Sequence, residues 1–190
     1  MSDVKLFSHD AFPIAGSPET IPRFVPGTRL STPDGPCGIE MLAVGDTVIT
    51  RAGPMRIARL GEMRKSRADW TFDRSAWPVR IPVGSLGNSR PMRLSPDQRI
   101  LLSGETLARI CGVAEVSVPV RDLIGLRGLI VERPLADLRY HGLSFGLPAV
   151  VEAEGVPCEV DTGEAATLDR DLVRAAFQAM HAVGEPVMKR

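Results

Sequence analysis

From Thr28 onward the chain reads as short apolar runs broken by turn residues, the pattern of strands joined by tight connections. Thr28–Thr32 leads into the turn Pro33-Asp34-Gly35, and Thr47–Thr50 leads into Ala52-Gly53-Pro54. Met55–Leu60 alternates apolar and basic residues, as a half-buried strand does, and Val79-Arg80-Ile81 does the same before a turn at Leu86-Gly87-Asn88. Met92–Leu94, Ile100–Leu102, Glu115–Val120, Leu129–Glu132 and Ala149–Glu152 supply further strands. Many short strands with Gly and Pro punctuation predict an all-β sandwich or barrel-like body. Residues 1–22 contain three prolines and little periodicity, which predicts an extended arm.

Two segments carry a helical period instead. Glu105–Ile110 is brief. Glu164–Val183 places Leu168, Leu172, Ala175, Ala176, Ala179, Met180 and Val183 on one face, and Gly184 and Pro186 end it. Such a helix is expected to cap an open end of the β-body; a groove-binding helix is the alternative. There is no internal repeat and no low-complexity tract.

Composition changes this picture little. The 190 residues are 44% hydrophobic and 24% charged, with 23 basic and 23 acidic side chains. That balance advertises neither nucleic acid nor a membrane surface as partner. Charge is uneven along the chain, however: residues 51–110 hold 12 basic and 5 acidic side chains. This is either a basic face or a scattered solvated surface. Trp70, Phe72 and Trp77 lie among Arg67, Arg74 and Arg80, the one place where stacking could assist a polyanion site. Anchoring of a long loop is the other use of those rings. Cys37, Cys111 and Cys158 have unrelated spacings that form neither a disulfide framework nor a zinc pattern, so free thiols are expected. No signal-peptide core opens the chain and no apolar run approaches membrane-spanning length, which makes a cytoplasmic location the default expectation. No phosphate-binding Gly-rich loop and no metal-ligand set is present, so no cofactor and no metal are expected.

Several segments in order resemble one known family. Phe24-Val25-Pro26-Gly27-Thr28-Arg29-Leu30-Ser31-Thr32 is similar to the opening of a Hint (Hedgehog/intein) domain, usually Cys-Phe-x-x-Gly-Thr-x-Ile-x-Thr. Glu40, Leu42 and Val44-Gly45-Asp46-Thr47-Val48 match its next element. Pro78-Val79-Arg80-Ile81 and Gly84-Ser85-Leu86-Gly87-Asn88 are similar to a bacterial branch of the family. So is Leu94-Ser95-Pro96-Asp97-Gln98-Arg99-Ile100-Leu101-Leu102, where the family commonly reads Val-Ser-Pro-Gln-His-Arg-x-Leu-Leu. Glu154-Gly155-Val156-Pro157 and the helix after it also fit, so the likeness runs from about residue 23 to about residue 180. The resemblance implies a mainly β, Hint-type fold with a C-terminal helix. It divides the chain into an arm (1–22), a Hint-like β-domain (23–160), and a helix and tail packed on it (161–190).

The resemblance also implies a chemistry, and the loss of it. In the family a Cys or Ser at the first position attacks the preceding carbonyl and converts an amide into a thioester or ester. The histidine of the later motif protonates the leaving amide nitrogen. Here the first position is Arg23, a permanent cation, and the histidine position is Gln98, an amide with no usable proton equilibrium. A later family histidine falls at Leu147 or Pro148, and Asn88 is the only asparagine, so terminal Asn cyclisation has no residue to use. The resemblance therefore implies no catalytic residue and a chain that has lost self-cleavage.

Three readings follow. The first is a non-catalytic Hint-like domain acting as a binding or structural module. Arg23, Gln98 and His141 would be its binding residues, and an unknown protein or an anionic small molecule its partner. The second is an unorthodox self-processing protein or hydrolase using Cys37 or Cys158 with His141, which Tyr140 and Gly142 flank. Against it, Glu159 beside Cys158 raises rather than lowers a thiol pKa. The third is a polyanion or nucleic-acid binder through residues 51–110, which the 5% aromatic content disfavours.

Overall fold

A computed structural model describes residues 4–5, 23–162 and 168–187. Val4–Lys5 forms a short strand, β1; the rest of the expected arm lies outside the described residues. The chain then forms β2 (Arg29–Thr32), β3 (Gly35–Gly38), β4 (Thr47–Thr50), β5 (Gly53–Arg56) and β6 (Arg59–Lys65). Helix α1 (Arg67–Phe72) precedes β7 (Val79–Ile81), β8 (Met92–Leu94) and β9 (Arg99–Ser103). After α2 (Glu105–Cys111) come β10 (Glu115–Pro119), β11 (Ile130–Val131), β12 (Leu138–Ser144), β13 (Ala149–Ala153), β14 (Val156–Val160) and α3 (Arg170–Ala182).

The fold is mainly β, as expected, in three antiparallel sheets. The largest runs β10-β9-β14-β13-β2-β3, with β4 added on β13 and β5 on β4; the others run β1-β6-β12 and β11-β7-β8. Phe24 joins the two small sheets by bridging to Leu94 on β8 and His141 on β12. One contiguous core fills the space between sheets, centred on Leu30, Val48, Ile81, Leu94, Ile100, Leu102 and Val151.

The expected strand Met55–Leu60 is in fact two strands. Ile57 is buried and its N–H donates to the Asp46 carbonyl (2.9 Å), whereas Ala58 donates to Ser144 (2.8 Å). The chain therefore leaves β4 and joins β12 within two residues, a change of sheet that alternation alone cannot reveal. Strand Leu129–Glu132 contracts to β11, and Gly35, expected as part of a turn, opens β3.

β2 meets the β13–β14 hairpin at a single polar joint. Glu154 and Gly155 form the two-residue turn, both with left-handed φ (51° and 89°), the geometry that matches strand twist. A glutamate in that region is held there by its partners. Its carboxylate accepts from the Arg29 backbone N–H (3.1 Å), Nε (3.0 Å) and Nη2 (2.9 Å). Its own N–H donates to the Arg29 carbonyl (3.0 Å), and its carbonyl accepts from Ser89 N–H (3.1 Å).

Trp70, Leu138 and Tyr140 form a second, smaller core under α1. Ser66 and Asp69 cap that helix reciprocally. The Trp70 indole donates to the Ala136 carbonyl (3.0 Å) and the Trp77 indole to the Trp70 carbonyl (2.8 Å). The two rings therefore anchor the 66–77 segment, but Phe72, expected to share that task, is 91% exposed.

Helix α3 starts at Arg170, not Glu164; residues 164–167 lie outside the described residues and Leu168 precedes the Asp169 cap. Its buried face is Val173, Ala176, Phe177 and Met180: Ala176 and Met180 belong to the expected stripe, Val173 and Phe177 do not, and Leu172, Ala175 and Val183 are exposed. Burying Phe177 removes more apolar surface than burying Ala175 or Leu172, so it sets the rotation of the helix. α3 also crosses α2 closely: a Cβ on Gly104 would come within 2.6 Å of the Met180 methyl.

Two outcomes follow. Phe177→Ala should destabilise the fold by about 3–5 kcal/mol, read as a lowered Tm by circular dichroism. Burial alone would raise the Glu154 pKa, but the Arg29 hydrogen bonds outweigh it and hold the pKa below the usual 4.5. The joint's contribution is therefore present above that value and is lost as pH falls through the depressed one. Tm should fall more steeply on acidification below about pH 5 in the wild type than in Glu154→Gln; parallel profiles would contradict the joint's role.

Candidate functional site

The backbone pins Arg23 from both sides. Its N–H and that of Phe24 donate to the His141 carbonyl (both 2.9 Å), and its own carbonyl accepts from Ser95 N–H (2.9 Å). His141 N–H returns a bond to the Phe24 carbonyl (2.7 Å). Arg23 thus sits where β12 meets the turn Ser95–Gln98, which Gln98 N–H closes onto the Ser95 carbonyl (3.0 Å).

The guanidinium of Arg23 reaches over that turn, and Nη1 donates to the Asp97 carbonyl (2.8 Å), one residue from Gln98. Gln98 is 1% exposed. Its amide nitrogen donates to the carbonyls of Arg99 (2.8 Å) and Glu159 (2.9 Å), tying β9 to β14. Its backbone carbonyl accepts from Val120 N–H (2.9 Å), and Arg121 N–H donates to the Pro96 carbonyl (2.9 Å). The turn is therefore held on all sides, and Gln98 acts as a bracket inside it.

Charges around the turn are almost balanced. Arg99 donates to Ser117 Oγ (2.9 Å) and lies 3.4 Å from the Glu159 carboxylate, which accepts from Ser117 Oγ (2.6 Å). Arg121 pairs with Asp97. That leaves Arg23 as a third cation whose only hydrogen-bonded acceptor is the Asp97 carbonyl, with Nε buried and unpartnered among the described residues. Burial lowers its pKa, repulsion by Arg99 and Arg121 adds to this, and Glu159 opposes it. An arginine whose pKa is lowered by such effects is still a cation near neutrality.

His141 meets Arg23 through backbone, but lies on the face of β12 opposite Tyr140. Burial lowers its pKa, Glu62 and Glu40 pull it up, and Arg139 pushes it down. Cys37 is half-buried on β3, its Sγ 3.7 Å from the Gly38 carbonyl. Cys158 is fully buried on β14, opposite Val151, and burial foremost, with Glu159, pushes its thiol pKa far up. Both cysteines belong to the large sheet and His141 to a small one, and no hydrogen bond joins them among the described residues. Sequence reasoning singled out Arg23, Gln98 and His141 but missed Arg99, Arg121, Asp97, Ser117 and Glu159 around them. Three of the five lie in or beside the motifs already noted, Asp97 and Arg99 flanking Gln98 and Glu159 following Cys158.

The profile of the Hint domain family matches residues 22–162. This chain belongs to the Hint domain family. Among solved structures, the AceL NrdHF class 3 split intein, in a GSH-linked splice-inactive variant, is 14% identical with a TM-score of 0.46. The match covers 76% of this chain and 100% of that one. A bacterial intein-like domain from Clostridium thermocellum is also 14% identical, with a TM-score of 0.46 and coverage of 74% and 99%. No curated protein matches the chain.

Elsewhere on this Hint domain the basic excess of residues 51–110 is partly undone in space. Arg51 pairs with Glu115, Arg93 with Glu132 and Arg99 with Glu159, all acids from later in the chain. Among the described residues no group of three or more His, Cys, Asp or Glu is placed to hold a metal ion. No helix among them is long and apolar enough to cross a membrane.

The buried Gln98 bracket makes a measurable claim. Gln98→Leu leaves the Arg99 and Glu159 carbonyls without their donor, at about 1–3 kcal/mol for each unsatisfied group. Tm should fall clearly, while Gln98→Glu, which retains an acceptor but loses both N–H donors, should not restore it.

Proposed function

We propose that this Hint domain is non-catalytic and serves as a binding or structural module. The observation that carries the reading is the pairing of Arg23 with the Asp97–Gln98 turn, the two positions where the family's likeness calls for a nucleophile and an acid. A guanidinium has no lone pair to give to a carbonyl carbon near neutral pH. An amide whose N–H groups already serve two backbone carbonyls has no proton to hand to a leaving nitrogen. Both halves of the family's acyl-shift chemistry are then missing at the same spot. In place of a thiol and an imidazole, the spot offers one uncompensated cation. A carboxylate or phosphate on a protein partner or small molecule is the group it would attract, by charge-assisted hydrogen bonds.

The purified chain should keep its full mass during incubation with thiol or hydroxylamine, reagents that trap thioesters and esters. Mass spectrometry detecting a fragment that begins at Arg23 would overturn the non-catalytic reading. Arg23→Ala should leave the mass equally unchanged.

A further inference from the structure

A second cationic site, remote in sequence from Arg23, lies where α3 crosses the loop of residues 123–129. Leu123, Leu126 and Leu129 are buried and root this loop in the core. Arg127 stands at its tip with φ of 45°, a left-handed backbone seldom adopted outside glycine. Two contacts keep it there: Ser85 Oγ donates to the Arg127 carbonyl (2.8 Å), and Arg127 Nη1 reaches the Ser85 carbonyl (3.4 Å). Arg174 of α3 donates to the carbonyls of Asp122 (2.5 Å) and Ile124 (3.0 Å), so helix and loop are fastened together.

The guanidinium itself is only half used. Its Cζ lies 4.5 Å from the centre of the Phe177 ring. Nε and Nη2, which together form the side-on fork of an arginine, have no hydrogen-bond partner among the described residues and are closed to water. Burial alone lowers its pKa, with no acidic side chain contributing. Beside it is a cavity of about 240 Å³, walled by residues 125–127 on the loop side and by Phe177, Gln178, His181 and Ala182 on the helix side. Among the described residues no carboxylate lines this cavity, and its polar contributions are Arg127, Gln178 and His181.

Buried charged donors seldom stay unpaired, and this fork has no acceptor among the described residues. The spacing of the fork suits two oxygens of one carboxylate or phosphate group. A guanidinium that slides across a ring face keeps its cation–π attraction while its edge turns outward. We infer that the cavity between the 123–129 loop and α3 is a binding site for a small anion, a carboxylate or phosphate compound held by the Arg127 fork. Its volume lies below the roughly 300–1,000 Å³ of sites for drug-sized ligands, which limits the occupant to a short acid or a phosphate. Gln178 and His181 at the helix wall supply further donors.

The test follows the Nε–H resonance of Arg127 in the full chain by NMR, titrating sodium phosphate and sodium acetate. Sodium chloride at matched ionic strength is the control. A saturable shift of this resonance and of the amides at 125–127 is expected with phosphate, acetate or both, and none with chloride. Which anion acts tells a phosphate compound from a carboxylic acid. Arg127→Met should abolish the saturable amide shifts, and Gln178→Leu, at an exposed position, should weaken binding at least several-fold. An Nε–H that moves with neither anion, or moves equally with chloride, would overturn the site, as would amide shifts that persist in Arg127→Met. If that variant does not fold, the wild-type resonance and Gln178→Leu still decide. None of these outcomes bears on Arg23, so the two readings fail independently.

Discussion

The joint between Arg29 and Glu154 is the constraint on which the arrangement of the sheets depends. Glu154 is 7% exposed and ionised, a state that burial opposes and that only close donors can maintain. Arg29 supplies three of them, one from its backbone, so the carboxylate fixes the course of β2 and not merely one flexible side chain. Through the same residue the β13–β14 turn keeps its left-handed geometry and Ser89 draws the 84–89 loop onto it. The opening strand, the late hairpin and a middle loop meet at one polar centre.

From that joint the opening strand runs back towards Arg23, and the second constraint appears. Phe24 is a shared rung between β8 and β12, so the residue before it cannot move independently of either. This pinning presents an arginine. The surrounding pairs, Arg99 with Glu159 and Arg121 with Asp97, neutralise their own charges and leave Arg23 as the surplus. Arg23 and Arg127 share one property: each carries buried guanidinium N–H groups with no acceptor among the described residues.

Much of this was legible in the chain. The runs at Thr47–Thr50, Val79–Ile81 and Met92–Leu94 are strands with those bounds, because alternation and turn residues are local signals. The likeness to the Hint opening and to the Ser95–Arg99 segment pointed at Arg23 and Gln98, and the Arg23 side chain does reach the turn that ends at Gln98. β12 and β14 escaped notice because polar residues, with a glycine in β12 and a proline in β14, break the alternation; pairing of β12 with β6, and of β14 with β13 and β9, makes them strands. The stripe on α3 named Ala176 and Met180 but missed Val173 and Phe177, because alanines blur a helical period and only the packing of Phe177 resolves it.

By itself the sequence determined a mainly β body and its family. Those follow from side-chain identity and from near-neighbour periodicity, which survive without a three-dimensional frame. Tertiary structure alone decided which charges are cancelled. Arg51, Arg93 and Arg99 meet acids 64, 39 and 60 positions away, whereas among the described residues Arg23 and Arg127 meet none that would complete their hydrogen bonding. Ion pairing depends on distance in space, and in a sheet protein that distance is set by which strands become neighbours.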